Sequence, residues 1–409
     1  MRSFCVRKST LEKKEINTDL TRSLAWYKNE IFNNRTQCEP FTVEDILKVV
    51  NSLDKHKSPK IIIQRTYSLK NEIAPILENI YNDWINLSHF PEYYKIAKII
   101  MIPKKKNTNK ISEFRPISLL PTIGKIFEIL VANRINIWVE SNHILNNEQS
   151  GFRKNRSTID HLFQFSQMYT ECKNRKRIMQ AIFLIKAFDK INHTYLLYKL
   201  HKLNFPPYLL NIIKSYITNR QYFIIHEQFQ SQYSILKAGV PQGSCLSPIL
   251  FGLYVCDIPK DQTCKLSQFA DDIAIYVLNN KKKHKKLQDY ANRIVDWCEK
   301  WGLKLNINKT KHMVLGNQKQ KLDIFIKDQK LENTDHMKFL GITIDKRMTL
   351  KNHIEDTINK CTPAIALINK LKNSYKIPKK KLITLIYTNI QIINTQQIGI
   401  WTLPTTYIT

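Results

Sequence analysis

Two adjacent carboxylates, Asp271 and Asp272 in the stretch SQFADDIAIYV (267–277), are the residues of this 409-residue chain best suited to chemistry. Like charges side by side between apolar segments repel each other and make a poor core unless a cation lies between them. At the tip of a tight hairpin they would present hard oxygen ligands, the kind Mg²⁺ prefers. An exposed Asp-Asp turn has the same local composition. Upstream lies KAGVPQGSCLSPILFGLYV (237–255), in which Gly239 and Gly243 permit close backbone approach and Ser247-Pro248 reads as the cap and first turn of a helix. A surface free of side chains beside a carboxylate pair suits a base or a sugar, although a Gly-Pro turn before a core helix would read the same way.

Rigid elements must hold these residues. The run AIFLIKAFDKINH (181–193) is apolar and then abruptly polar, as a buried strand would be if it delivered a side chain at its end. Strand-like runs at 178–184, 222–226 and 273–277 alternate with helical patterns at 195–203, 208–217, 247–255 and 282–300, an α+β order. KIAKIIMIPKKK (95–106) reads as a strand feeding a charged turn, and the helical pattern after Pro121 is built on Ile126, Ile129, Leu130 and Ile135. After Phe41, TVEDILKVVNSL carries a Thr-x-x-Asp capping signal, and a second helix is predicted over 72–87. Residues 1–40 read as a polar linker or lead-in. Ile354, Ile358, Cys361, Ile365 and Ile368 lie on one helix face, which Pro363 is expected to kink or break.

The balance of 64 Lys plus Arg against 34 Asp plus Glu leaves a formal charge of +30, which points to a polyanionic partner, nucleic acid above all. A Lys- and Asn-rich composition inherited from an AT-rich genome accounts for part of the excess. The 8 cysteines show no C-x-x-C pairing, which argues against a zinc finger or a disulfide framework and suits reduced thiols. No apolar run approaches a membrane span and no signal-like core follows Met1, so the expected location is nuclear or cytoplasmic.

The segments FRPISLLPTIGKIFEILVANRI, QSGFRKNRSTIDHL, KAFDKINH, GVPQGSCLSPILF and FADDIAIY occur in the order and approximate spacing of reverse transcriptases from non-LTR retrotransposons, and resemble those of jockey-type insect elements most. WGLKLNINKTKHMVLG (301–316) and KFLGITIDKRMTLKNHI (338–354) are similar to that family's later palm motif and primer-grip region, so the likeness runs from about Phe41 to Trp401. Group II intron maturases and telomerase-like enzymes share the palm but fit the Lys-Ala-Phe-Asp and Phe-Ala-Asp-Asp wording less well.

The resemblance implies a right-hand polymerase with an antiparallel palm sheet and a helical thumb. Fingers and the start of the palm would occupy 41–177, the palm with its hairpin and primer grip 178–345, and a truncated thumb 346–409. Two Mg²⁺ ions, with Mn²⁺ possible in their place, would activate a primer 3′-hydroxyl and neutralise the triphosphate. Carried over by motif, Asp271 and Asp272 are catalytic metal ligands. Arg115 and Lys104 reach the triphosphate, Gln242 and Gly243 line the nucleotide pocket, Phe188 lies under the incoming sugar, and Lys309 is the later palm-motif lysine. The implied partners are an RNA template, a DNA primer and dNTPs.

One position departs from that pattern. The family has an apolar strand, an Asp, two further residues and then Lys-Ala-Phe-Asp, whereas here AIFL runs directly into Ile185 and Lys186. Counting from the strand places Ile185 in the ligand slot; counting back from Asp189 places Phe183 there. Neither side chain binds a metal, and Asp189 is a weak substitute beyond the strand end. The alternative to an active enzyme is a remnant that binds RNA or RNA-DNA hybrid without catalysis. Other departures are Lys60 and Ile61, where KHKSPKIIIQRTYS (55–68) should carry Gly and Asp, and the missing Pro and second Tyr between Tyr387 and Trp401. Neither an endonuclease nor a Cys-His knuckle is found in the sequence, so self-sufficient transposition is not expected.

Overall fold

The computed structural model describes residues 38–54, 60–104, 110–151, 153, 155–185, 191–270, 272–279, 284–316 and 323–375. Helices α1 (Val43–Ser52), α2 (Lys60–Ser68) and α3 (Lys70–Asn86) precede strands β1 (Ile96–Pro103) and β2 (Phe114–Leu119). Then come α4 (Thr122–Ser141), α5 (Thr158–Asn174), β3 (Ile178–Ile185), α6 (His193–Lys202) and α7 (Pro207–Ile217). Strands β4 (Gln221–His226), β5 (Phe229–Gln230) and β6 (Ser234–Ile235) lead to α8 (Ser247–Tyr254), β7 (Lys265–Phe269), β8 (Asp272–Asn279) and α9 (His284–Lys300). The rest comprises β9 (Lys311–Leu315), β10 (Phe325–Ile326), β11 (Gln329–Lys330), β12 (Glu332–Asn333), β13 (His336–Phe339), β14 (Ile342–Asp345) and α10 (Lys351–Tyr375).

These elements form two units interleaved in sequence: one from residues up to 147 with 188–257 and 298–303, the other from 148–187, 258–297 and 304 onward. In the first, β1 pairs antiparallel with β2 and parallel with β4, and β5 and β6 pair with β4. Helix α1 starts as the sequence predicts, with Thr42 and Asp45 forming a reciprocal capping box. It buries Ile46, Val49 and Val50, at helical spacing, beside α3 residues Leu77, Tyr81 and Ile85 and α4 residues Phe127, Leu130 and Val131. Aromatic rings close this core: Trp84 meets Phe127 edge-on at 5.1 Å, and Phe90 meets Tyr216 at 5.0 Å.

The second unit is built on a sheet ordered β12-β9-β3-β8-β7. Its pairs from β9 to β7 are antiparallel, as expected of a palm, while the short edge strand β12 joins β9 in parallel. Alternate residues along the strands share a face. Met179, Ala181 and Phe183 of β3, Ala274 and Tyr276 of β8 and Met313 and Leu315 of β9 therefore form one core, covered by Phe165 of α5 and by Phe339, Ile342 and Ile344 of β13 and β14.

Two local expectations need correction. Helix α10 continues through Pro363, so the helix is not broken there: an internal proline removes one N–H donor and crowds one carbonyl, the cause of a kink, while the flanking turns keep their own bonds. Ser247 is not the cap of α8; Leu246 is, and the Ser247 hydroxyl donates instead to the Pro241 carbonyl at 2.8 Å. The cysteines among the described residues are free thiols, and no described helix is long and apolar enough to cross a membrane.

Candidate active site

Asp272 sits where a hairpin closes. Strands β7 and β8 remain in register up to Phe269↔Asp272, so residues 270 and 271 alone connect them, and Ala270 takes φ +55°, as tight hairpin turns require. Asp272, half-buried, is the first residue of β8. Asp271, Phe188 and Asp189 lie outside the described residues.

Pairing between β3 and β8 fixes which residue lies opposite Asp272. The ladder runs Phe183↔Ala274, Leu184↔Ile273, Ile185↔Asp272. Residues directly opposed in an antiparallel pair project on the same side of the sheet, close enough to share a ligand. Position 185 is thus the one facing Asp272, while Phe183 is buried in the core, 5.2 Å from Phe339 and 6.1 Å from Phe165. An isoleucine has no oxygen to offer. Among the described residues no group of three or more His, Cys, Asp or Glu gathers as a metal site. Lys309, exposed, just precedes β9, whose ladder with β3 ends at Lys311↔Phe183; the lysine thus falls at the same end of β3 as the hairpin.

In the other unit Lys104, Arg115, Gln242 and Gly243 come together around β2. Lys104 N donates to Glu113 O at 2.8 Å, just beyond the ladder that pairs Ile102 with Arg115; both basic side chains are exposed. Ser118 N donates to Gln242 O at 2.7 Å, which fixes the Gly-rich loop to β2 three residues from Arg115, about 10 Å along the strand. A Cβ at Gly243, whose φ is +117°, would lie 2.7 Å from the Ser118 carbonyl oxygen. On that side of the loop the close approach is made by the protein's own backbone. A cavity of about 200 Å³ lies beside the loop, lined by Ser118, Arg220, Tyr222, Gly239 and Gln242 among others.

Sequence reasoning missed what holds this loop. Glu128, fully buried on α4, accepts hydrogen bonds from Ser244 Oγ at 2.6 Å and Cys245 N at 3.2 Å, and Tyr216 OH donates to Ser244 Oγ at 2.6 Å. Burial pushes the Glu128 carboxyl above its ordinary range, a shift that nearby Arg220 and the donated hydrogen bonds oppose. Arg220, itself buried, stacks 4.4 Å from the Tyr216 ring and donates to Tyr216 O at 3.1 Å. At the loop's start, His193 Nε2 donates to the Gly239 carbonyl at 2.7 Å and burial lowers the His193 pKa. The available signal was a single carboxylate inside the apolar run IFEILV.

Residues 102–344, more than half of the chain, match the family described as "Reverse transcriptase (RNA-dependent DNA polymerase)". The chain belongs to the reverse transcriptase family, with an α+β polymerase fold, and that family generally works with divalent metal ions. It is 31% identical over 356 residues to the "Probable RNA-directed DNA polymerase from transposon BS" of Drosophila melanogaster, covering 82% of this chain and 39% of that protein. To the "RNA-directed DNA polymerase from mobile element jockey" of the same fly it is 28% identical over 352 residues, covering 82% of this chain and 38% of that protein. The chain thus spans about two fifths of the length of these curated relatives. Among solved structures, apo telomerase from Candida Tropicalis truncated from its C-terminal domain aligns with TM-score 0.43 and 14% identity, over 76% of this chain and 73% of that one.

Proposed function

We propose that this chain is the polymerase portion of a mobile element's RNA-directed DNA polymerase, copying an RNA template from a DNA primer with dNTPs. The observation that carries the reading is the hairpin that closes at Asp272 beside the end of β3, within a chain of this family. In this reading the sheet of β1, β2 and β4 acts as fingers, the sheet of β3, β7, β8 and β9 as palm, and α10 opens the thumb. Arg115 and Lys104 meet the triphosphate, Gln242 and Gly243 border the nucleotide, Phe188 underlies its sugar, and Lys309 stands beside the reacting end. Mg²⁺, or Mn²⁺ in its place, is the ion whose preference for hard oxygen suits Asp271 and Asp272.

A second reading has its own observation. Ile185, opposite Asp272, removes the carboxylate a competent centre needs, which favours a scaffold that still binds RNA or RNA-DNA hybrid through its positive charge. Primer extension on poly(rA)·oligo(dT) separates the two. Three chains are compared: the parent, Ile185→Asp, and one with Asp plus one residue inserted after Leu184, which places a carboxylate opposite Asp272 and restores the spacing to Lys186. Extension by the parent supports the enzyme, with Asp189 the first residue to test as substitute ligand. Extension by the insertion chain alone supports the remnant, and failure of all three rejects polymerase chemistry on this scaffold.

A further inference from the structure

The hairpin that carries the Asp pair is held at its outer edge by a segment that strand patterning does not reveal. Strand β7 ends its sheet, and such an edge leaves backbone groups unpaired. Residues 148–151 cover it: Gln268 N donates to Glu148 O at 2.9 Å, Ser150 N donates to Gln268 O at 3.1 Å, and Gln149 bridges Gln268 in parallel. Gln149 and Ser150 are 1% and 2% exposed, and the Gln149 carboxamide oxygen accepts the Gly151 N–H at 3.1 Å, tying the segment's last turn to itself. A pair between Lys260 and Glu148 at 2.8 Å anchors its beginning.

At the end of this strap Gly151 meets the hairpin turn itself. A Cβ there would lie 2.3 Å from Ala270 N, 3.1 Å from Ala270 Cα and 3.2 Å from the Phe269 carbonyl carbon. All three atoms are backbone, so no side chain can swing aside to admit a methyl group. Gly151 has no left-handed φ, so the glycine is required for space and not for conformational freedom. Ala270 directly precedes the Asp pair, and β8 is locked on its other side by the ladder to β3. A methyl group at 151 must therefore displace the turn, the strap or both, by about 1 Å if ordinary contact is to be regained.

We infer that Gly151 is a positioning residue for the hairpin: by lacking a side chain it lets the 148–151 strap set the placement of Asp272 relative to the end of β3. This rests on the polymerase reading for its consequence, though not for the contact. Misplacements of this size lower rates by about 100-fold where geometry limits chemistry.

The test uses Gly151→Ala, in the parent and in the chain with Asp plus one residue inserted after Leu184. The control is Leu340→Ala, a truncation in the core that covers the sheet. Four quantities are read below the unfolding range: amide hydrogen exchange across 265–272, Mn²⁺ affinity by electron paramagnetic resonance, the kcat and KM of primer extension, and hybrid Kd. Gly151→Ala is expected to speed exchange in 265–272, to weaken Mn²⁺ binding about 10-fold and to lower kcat about 100-fold, with KM for dTTP and hybrid Kd within about twofold. Leu340→Ala is expected to lower stability and leave the hairpin readings unchanged. Unchanged exchange in Gly151→Ala overturns the inference. So does faster exchange with unaltered Mn²⁺ affinity, or the same pattern in Leu340→Ala. If neither chain binds Mn²⁺ in a manner that Asp271→Ala abolishes, the polymerase reading fails, while exchange across 265–272 still decides whether Gly151 sets the turn.

Discussion

The loop of residues 239–247 and the end of β3 have fared differently. Almost every residue of the loop is fastened: Gly239 by Ile191 and His193, Pro241 by Ser247, Gln242 by Ser118, Ser244 by Tyr216 and Glu128, and Cys245 by Glu128. At the end of β3 the ladder is equally regular, yet the residue facing Asp272 is an isoleucine. Backbone order is regular in both places; in the proposed polymerase reading, the position opposite Asp272 carries no carboxylate. Folding draws on many cooperating contacts, whereas a metal centre depends on a few oxygens, and a deletion that spares strand alternation removes the second without disturbing the first.

The strongest way to break this comparison is to supply the carboxylate. Insertion of Asp plus one residue after Leu184 is expected to raise the primer-extension rate by about 100- to 1000-fold over the parent, measured in single turnover, with Tm nearly unchanged. Ile185→Asp alone should gain less, because the spacing to Lys186 stays short. A fall in Tm together with no gain in rate would show that position 185 does not face the hairpin.

Next in size are changes to the braced loop. Glu128→Ala leaves the Ser244 hydroxyl, the Cys245 N–H and the buried Arg220 without their carboxylate and should destabilise the fold by about 3 kcal/mol in urea titration. Gly243→Ala, which sets a methyl against the Ser118 carbonyl at an unfavourable φ, should destabilise by about 2 kcal/mol. Near-wild-type urea midpoints for both would mean that the loop is not held by these contacts.

Glu128→Gln sharpens the electrostatic part. The folded carboxyl titrates above its ordinary value of 4.5, so between 4.5 and the raised value the folded state holds the proton more often than the unfolded chain. Stability from this group is therefore present at low pH and declines as pH rises through that window. The glutamine keeps the acceptor oxygen and cannot titrate, so its stability curve should be flatter above pH 4.5 than the parent's. Parallel curves would remove Glu128 as the cause. The smallest effect is expected for Asp271→Ala on hybrid binding, within about twofold at fixed salt, because a phosphate backbone is met by basic groups and not by the hairpin. A collapse of affinity would place the nucleic acid elsewhere.

Much of the fold was legible because its signals are local. The capping box at Thr42, the strand at Ile96–Pro103 and the helices near 195–203 and 208–217 follow from periodicity and end signals that act within a few residues. Gly243 was singled out as a place of close backbone approach, and the Ser118 carbonyl is its neighbour in the fold. Glu128, Gly151 and the true role of Ser247 were not legible, since their partners lie 116, 119 and 6 positions away and nothing in the intervening residues announces them.

By itself the sequence determined many of the elements, their order and the family wording, and it showed AIFL running directly into Ile185 and Lys186. Only the tertiary structure decided which residue lies opposite Asp272. A side chain's face on a strand repeats every two residues, so counting from Ala181 and counting back from Asp189 put Ile185 and Phe183 on the same face and could not be told apart. Register is fixed by pairing with strands more than 80 residues away, and those ladders set Phe183 opposite Ala274 in the core and Ile185 opposite Asp272.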